Sequence, residues 1–428
     1  MKTKHTSPLC GRRVLVAVSG SIAAVKTPLL VSALIKAGAE VRCLVTTSGA
    51  ALVSPVALAS LSRHRCYLEA DQWNPAASRP LHIELAEWAD LTIVAPLSAS
   101  SLARWSQGSA DGLLASVLLA TEAPVIAAPA MNTAMWRHPA VQRNWLRIQD
   151  FPGVVPLLPE SGLLACDRVG DGRMADPLLI ELAAASVFSR GPGAPAMNLD
   201  WSGMSVLVSA GPTQEPIDPA RFLSNRSSGR MGVLLAQAAR FRGATVHLVH
   251  GPLDLPVAWL EGLQCTAVET AAELSSALHL AQPTSDVLVM SAAVADLRRE
   301  VSPAVKLDKL ELQQVLSSGW DEIPDLLSNL TRHRRPKQLI LGFSALTGDD
   351  IHLLELAESK RLSKGCDLMM VNPVDREGQG FGDQPNGGWL LGDGWRQKLP
   401  VTAKLSLAHQ LLDALIKARD QAAASMES

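Results

Sequence analysis

Apolar residues along this chain fall in short runs separated by amphipathic stretches, and the alternation occurs twice. Gly11–Val18 (GRRVLVAV) reads as a buried strand of parallel type, and Ser19-Gly20-Ser21 turns from it into a helix. In that helix Ile22, Val25, Leu29, Leu30, Ala33, Leu34 and Ala37 recur at helical spacing and form the predicted buried stripe. Gly38 ends it, and Val41–Val45 is the next strand. Leu91–Ala95 and Val125–Ala128 continue the β-α alternation of a doubly wound parallel sheet. Ser189–Ala196 (SRGPGAPA) has nothing to bury and reads as a linker. After it the pattern restarts: GRRVLVAVSG has a counterpart in GMSVLVSAGP, and AGAEVRCLV in RGATVHLVH. Strands follow at Thr245–Val249, Val287–Met290, Leu339–Leu341 and Leu368–Val371. The expectation is two doubly wound α/β domains, residues 1–190 and 191–428, with the boundary near Gly191–Gly193.

One stretch stands apart from this alternation. Ser209–Gly232 (SAGPTQEPIDPARFLSNRSSGRMG) follows an apolar strand and precedes an amphipathic Val233–Arg242, so it reads as a long polar loop between strand and helix. Loops at the carboxyl ends of parallel strands are where open α/β sheets bind ligands. Thr213, Asn225, Ser227, Ser228 and Gly229 supply the donors that suit a phosphate at a helix N-terminus.

Composition narrows the class. With 47% hydrophobic and 19% charged residues among 428, two sizeable cores are available. A formal net charge of -2 gives no electrostatic case for nucleic acid or an anionic membrane as partner. The basic run Arg332, His333, Arg334, Arg335, Lys337 reads as a solvated helix end. Six dispersed cysteines with no CxxC pair read as free thiols in a reducing cytoplasm. Residues 1–10 are polar, and no apolar run approaches the ~20 residues that span a bilayer, so the expected location is cytoplasmic.

The turn Ser19-Gly20-Ser21-Ile22 lacks the full G-x-G-x-x-G of a dinucleotide site and suits a single phosphate. Hydroxyls recur past the next strands at Thr46, Thr47 and Ser48 and at Ser98, Ser100 and Ser101. That layout fits flavin mononucleotide better than nicotinamide, although serines at such turns also cap helices. His82 precedes a predicted helical Glu84–Asp90, and a lone histidine there is more often structural. Asn132, in PAMNTAMW after a strand end, could hold a ligand carboxylate. Cys166 lies in a polar segment rich in Gly and Asp, where a thiol is better placed to give up a proton than in a core.

SGSIAAVK, HIELAEWADL, APAMNTAMW and AC-x-x-x-G-x-GRM, in this order, resemble the flavin-dependent cysteine decarboxylases. AGPTQEP, SNRSSGRMG and SAAVAD resemble phosphopantothenate–cysteine ligase. Together, from about Gly11 to about Leu415, they resemble the bifunctional phosphopantothenoylcysteine decarboxylase/phosphopantothenate–cysteine ligase family of coenzyme A synthesis. The fold class this implies is a flavodoxin-like decarboxylase domain followed by a Rossmann-like ligase domain.

For the first half the resemblance implies FMN bound by Gly20, Ser21, Ile22, Thr46 and Ser98. In that family the flavin oxidises the substrate thiol to a thioaldehyde, which acts as electron sink for CO2 loss, and the enethiol is then reduced by the flavin. His82 matches the active-site base, Asn132 the carboxylate anchor and Cys166 the proton donor. Two positions depart from the family pattern: Gly112 follows Ala110-Asp111 where a second Asn or Asp is usual, and Asp167 follows Cys166 where Gly is usual. A carboxylate beside Cys166 should keep the thiol protonated, which suits a donor.

For the second half it implies activation of 4'-phosphopantothenate by CTP, with Mg2+ and cations neutralising the triphosphate, then displacement of CMP by cysteine. Asn225 matches the acyl-cytidylate contact, and Ala292, Ala293 and Asp296 the nucleotide strand end. Pro324, Asp325 and Leu326 match further CTP contacts, Phe343 the base-side aromatic, and Lys360 and Lys364 later phosphate or base contacts. Lys306 matches the CTP lysine, with Lys309 as the alternative. No metal ligands can be assigned. The family's K-x-K-K reads Lys306-Leu307-Asp308-Lys309, its G-F-A-A-E-T places Leu346 for Glu, its N-D reads Asn372-Pro373, and Arg230 stands for Lys in S-S-G-K-M-G. The resemblance also implies a homo-oligomer, trimers paired through dimeric ligase domains into a dodecamer. Two alternatives stay open: a lapsed paralogue binding FMN or nucleotide in a regulatory role with weak or absent ligase activity, and an α/β dehydrogenase, disfavoured by the missing third glycine.

Overall fold

The computed structural model describes residues 7–75, 78–163, 167–190 and 199–427, with backbone alone for 422–427. It divides into two compact units, Met1–Asn198 with Val257–Gly262, and Leu199–Pro256 with Leu263–Ser428.

In the first unit six parallel strands form one sheet: β1 (Arg13–Val18), β2 (Glu40–Val45), β3 (Cys66–Leu68), β4 (Leu91–Leu97), β5 (Val125–Pro129) and β6 (Val154–Pro156). Val14–Val18 and the whole of β4 are buried, which explains their unbroken apolar runs: helices cover both faces. The order β3-β2-β1-β4-β5-β6 is the 3-2-1-4-5-6 of the Rossmann fold rather than the 2-1-3-4-5 of flavodoxin. The expected doubly wound layers are therefore present, in the other strand order. The direction of winding reverses between β1 and β4.

The predicted stripe after β1 is only half right. Ile22–Lys26 is a 3-10 turn, so the α-helix Thr27–Lys36 starts late and its buried face is Thr27, Leu30, Val31 and Leu34. Ile22 and Val25 are 56% exposed and Leu29 65%. His82 lies inside the helix Leu81–Trp88 rather than ahead of it. Beyond the sheet, β7 (Glu160–Leu163) and β8 (Val169–Arg173) pair as an antiparallel hairpin whose polar sequence gave no strand signal.

The second unit contains β9 (Ser205–Ala210), β10 (Gln214–Asp218), β11 (Arg221–Ser224), β12 (Thr245–His250), β13 (Gln264–Ala267), β14 (Val287–Met290), β15 (Leu297–Arg299), β16 (Trp320–Glu322), β17 (Leu339–Leu346), β18 (Leu368–Pro373), β19 (Asn386–Gly392) and β20 (Trp395–Thr402). Its main sheet runs β13-β12-β9-β14-β17-β18-β19-β20, repeating the first order and adding two antiparallel strands, so this sheet is mixed. The repetition reaches individual bonds. Asp90 at the foot of β4 accepts the Arg13 N–H at 2.9 Å, and Asp286 at the foot of β14 accepts the Ser205 N–H at 2.8 Å. Each carboxylate locks the first residue of the central strand to its neighbour across the reversal.

Ser209–Gly232 is not a structureless loop. β10 and β11 form a hairpin within it, turned at Asp218, whose Oδ1 accepts the Ala220 N–H at 2.8 Å. Pro216 and Pro219 within the hairpin hid the strands from a pattern reading. The helix that follows, Arg230–Phe241, is buried continuously from Gly232 to Ala239 instead of on one face. The basic run is also tied down: Arg334 pairs with Asp367 at 3.0 Å, and Arg335 pairs with Asp286.

Candidate active sites

Each unit has a large cavity at the carboxyl ends of its central strands, where the winding reverses and such folds bind ligands. In the first, a cavity of about 640 Å³ opens beyond β1, β4 and β5 and brings together Gly20, Ser21, Ile22, Ser98 and Asn132. Gly20 is required there, because a Cβ would stand 2.5 Å from the Ser48 Cβ. Ser19 welds the two turns: its buried Oγ donates to the Pro96 carbonyl and accepts the Ser98 N–H, both at 2.7 Å. The Ser21 side chain makes no capping bond to its turn, while Ser98 caps the helix Ala99–Gln107. Asn132 caps Thr133–Trp136 through its Oδ1, 2.8 Å from the Ala134 N–H.

The hairpin β7–β8 closes one side with Leu163, Gly172, Arg173 and Met174. Gly172 (φ +137) accepts the Met131 N–H at 3.0 Å, and a Cβ there would lie 2.1 Å from the Met131 oxygen. The GRM motif is thus the clasp that seats the hairpin beside Asn132. Thr46 does not reach the cavity wall; it caps Thr47–Ala50 through the Gly49 N–H at 3.1 Å. His82 is also off the wall, but its buried Nδ1 has no hydrogen-bond partner among the described residues. Cys166 lies outside the described residues, as does most of the predicted linker. At Gly112, where a side chain is usual, the Glu69 carboxylate takes the space and accepts the Leu113 N–H at 2.6 Å.

The second cavity, about 630 Å³, brings together Asn225, Ala292, Ala293, Asp296, Pro324, Asp325, Leu326, Phe343, Lys360 and Lys364. Lys306 and Lys309 are not on its wall; both are exposed, Lys306 in the run before the helix Lys309–Ser317. The floor is cross-tied. Ser209 Oγ accepts the Ser291 and Ala292 N–H groups at 3.1 and 3.2 Å, and Thr213 Oγ1 accepts the Ala295 N–H at 3.0 Å. Thr213 is buried in this role and is a structural tie rather than a ligand donor. Asn225 Nδ2 donates to the Val294 carbonyl at 2.8 Å and more weakly to that of Ala293 at 3.4 Å. Gly232 lets the following helix sit on the sheet, since a Cβ would be 2.5 Å from Ser291 Oγ.

Lys360 and Lys364 are half-buried, so the face they share is no ordinary solvated one. Lys364 pairs with Asp325 at 3.3 Å. Burial alone would raise the Asp325 carboxyl, but the Ser328 N–H and the Lys364 ammonium outweigh it and hold it below its usual value. Three wall residues were given no site role from the sequence, Asn372 and Arg230 appearing there only as motif positions and Lys404 not at all. Asn372 is 6% exposed and its Nδ2 has no partner among the described residues. Arg230 pairs with Asp383 at 2.6 Å. Lys404 is buried, which pulls its ammonium down to about 8, with Arg230 adding to the effect.

Two departures from the family pattern in the second unit have local explanations. Asp308 caps the helix Lys309–Ser317, accepting the Leu310 and Glu311 N–H groups at 2.8 and 2.9 Å while Glu311 reaches back to its own N–H. Leu346 is 6% exposed in the core beneath β17 and β18. Nothing here favours the lapsed paralogue.

Comparison with known proteins first gives the class. Residues 2–182 match the Flavoprotein family, and residues 201–418 match the family described as DNA/pantothenate metabolism flavoprotein C-terminal domain. The chain is 36% identical over 415 residues to the coenzyme A biosynthesis bifunctional protein CoaBC of Escherichia coli (strain K12), covering 96% of this chain and 98% of that protein. To the same protein of Bacillus subtilis (strain 168) it is 37% identical over 414 residues, covering 94% and 96%. A solved C-terminal domain of CoaBC is 30% identical with a TM-score of 0.42, covering 51% of this chain and 99% of that one. The chain belongs to the family of bifunctional coenzyme A biosynthesis enzymes, one half a decarboxylase and the other a ligase. Among the described residues no helix is long and apolar enough to cross a membrane.

Proposed function

We propose that the chain performs two consecutive steps on one growing molecule. Residues 191–428 join cysteine to 4'-phosphopantothenate at the expense of CTP through an acyl-cytidylate, and residues 1–190 decarboxylate the product to 4'-phosphopantetheine. The observation that carries this reading is the pair of separate cavities, each at the reversal point of its own sheet and each lined by its own half's motif residues.

The first cavity suits FMN. Ile22, Val25, Met131, Met135 and Met174 give apolar walls for a flat ring, and Ser21 and Ser98 offer hydroxyls at helix starts for one phosphate. FMN, when bound, supplies the redox chemistry that no side chain here offers. Asn132 holds the substrate carboxylate, His82 takes the thiol proton through an imidazole whose Nδ1 has no hydrogen-bond partner among the described residues, and Cys166 returns a proton to the product.

In the second cavity Lys360 and Lys364 face the nucleotide with Phe343, and Ser227–Gly229 offer the start of a long helix to phosphate. Among the described residues there is no cluster of three His, Cys, Asp or Glu side chains able to cage a metal. Mg2+ needs none, since it binds through nucleotide phosphates and one or two carboxylates; Asp296 is the carboxylate we assign. Lys306 is the lysine assigned to the triphosphate. The enzyme works in the cytoplasm as a homo-oligomer.

The test is release of CMP by the purified yellow protein, since pyrophosphate already leaves when the acyl-cytidylate forms and only CMP waits for cysteine. Release should require CTP, 4'-phosphopantothenate and cysteine together. Release without cysteine, or no flavin band in the spectrum, would count against the reading.

A further inference from the structure

The loop Gly380–Gln384 forms one wall of the second cavity with Gly380, Phe381 and Gly382. Its backbone is turned so that alternate carbonyls converge: Gly380 and Gly382 have φ of +127° and +64°, conformations other residues rarely adopt. The three carbonyls of Gly380, Gly382 and Gln384 meet at one atom, the Lys404 Nζ, at 2.8, 2.7 and 2.6 Å.

An ammonium has three N–H donors and no acceptor, so this one is fully spent. Lys404 can therefore make no direct bond to a ligand without giving up a carbonyl. Its position is unusual for a cation. It is 7% exposed, and it is the first residue of the helix Lys404–Glu427, where the helix dipole opposes a cation. A buried charge placed against the dipole is tolerated only where something compensates it, and here the carbonyls do. The same loop carries Asp383, which pairs with Arg230 at the start of the helix Arg230–Phe241, beside Ser227–Gly229.

We infer that Lys404 is a positioning residue of the ligase site: it gathers three backbone carbonyls to fix the Gly380–Gln384 wall, and thereby Phe381, against the nucleotide. This rests on reading the cavity as the nucleotide site. Charge alone is not sufficient for the task. A guanidinium presents its donors in a planar fork and cannot direct three of them from one atom to three converging oxygens.

The test uses the full chain with Lys404→Met and Lys404→Arg, read by amide hydrogen exchange and by CTP binding calorimetry. In both variants, exchange across residues 379–386 should rise at least tenfold while β9 and β14 stay protected. The Kd for CTP should weaken at least tenfold. If Lys404→Met does not fold, Lys404→Arg alone carries the test. Native exchange of the loop, or native CTP affinity restored by arginine, would overturn the inference. If the unaltered protein fails to bind CTP while the loop still loosens in the variants, the tether stands and only the nucleotide reading falls.

Discussion

Asn225→Asp separates a positioning role from a structural one. The amide donates a good bond to the Val294 carbonyl at 2.8 Å and a marginal one to Ala293 at 3.4 Å, and Asn225 itself is exposed. Water can replace the lost donor at such a site, so the cost to folding should stay within about 1 kcal/mol. Catalysis should suffer far more. The strand-end segment that Asn225 holds carries Ala292, Ala293 and Asp296 into the cavity, and on the proposed reading the new carboxylate would face the triphosphate of bound CTP. One unit of repulsion at ~5 Å and an effective dielectric of ~20 is about 3 kcal/mol, roughly a hundredfold in rate. Asn225→Ala loses the bonds without adding the charge and should fall between the two. The assay is CMP release under limiting CTP, with thermal unfolding measured on the same samples. Equal losses for Ala and Asp, or a large drop in thermal stability with normal kcat/KM, would refute the reasoning.

Other predictions follow from the same geometry. Gly172→Ala drives a Cβ into the Met131 oxygen and should unseat the β7–β8 hairpin; CO2 release from 4'-phosphopantothenoylcysteine should fall at least tenfold while CMP release continues. Cys166→Ser should release CO2 no more than once per bound flavin, because a serine hydroxyl is far less acidic than a thiol of reference pKa ~8.5; sustained turnover would assign the proton to another group. Lys306→Gln should slow CMP release by the ~2.7–4 kcal/mol of a lost electrostatic contact, and a near-normal rate would move the role to Lys309. For Asp286, burial pushes the carboxyl up but the Ser205 N–H and hydroxyl and the Arg335 guanidinium outweigh it, so the folded value lies below the ordinary one. Its contribution is therefore complete above about pH 4 and is lost as pH falls through the lower folded value. The urea-midpoint gap between the unaltered protein and Asp286→Asn should close on acidification; a constant gap would exclude the ionised carboxylate as its source.

Much of the architecture was legible because buried parallel strands are continuous apolar runs. Val287–Met290 is found as expected, and β1, β5, β12 and β18 differ from expectation by only a residue or two at their ends. Illegible were the pieces whose strands are polar or proline-bearing, β7–β8 and β10–β11, since they offer no continuous apolar run; even the buried positions of β10 include Glu215 and Asp218. The phase of the first helix was misread because a 3-10 turn shifted it, leaving Ile22 and Val25 on the cavity instead of in the core. At the sites, motif residues were found where they lie at strand ends. Lys404 and Asp383 were missed, and Asn372 was given no site role, because their neighbours come from distant strands and loops that no local spacing encodes.

The central claim is that one chain both makes and consumes the cysteine adduct. The measurement is a single incubation with CTP, 4'-phosphopantothenate and cysteine labelled in its carboxyl carbon, following CMP and labelled CO2 together. The account predicts equal amounts of the two at completion, with 4'-phosphopantetheine as the product. CMP released without labelled CO2, or 4'-phosphopantothenoylcysteine accumulating unchanged, would contradict it.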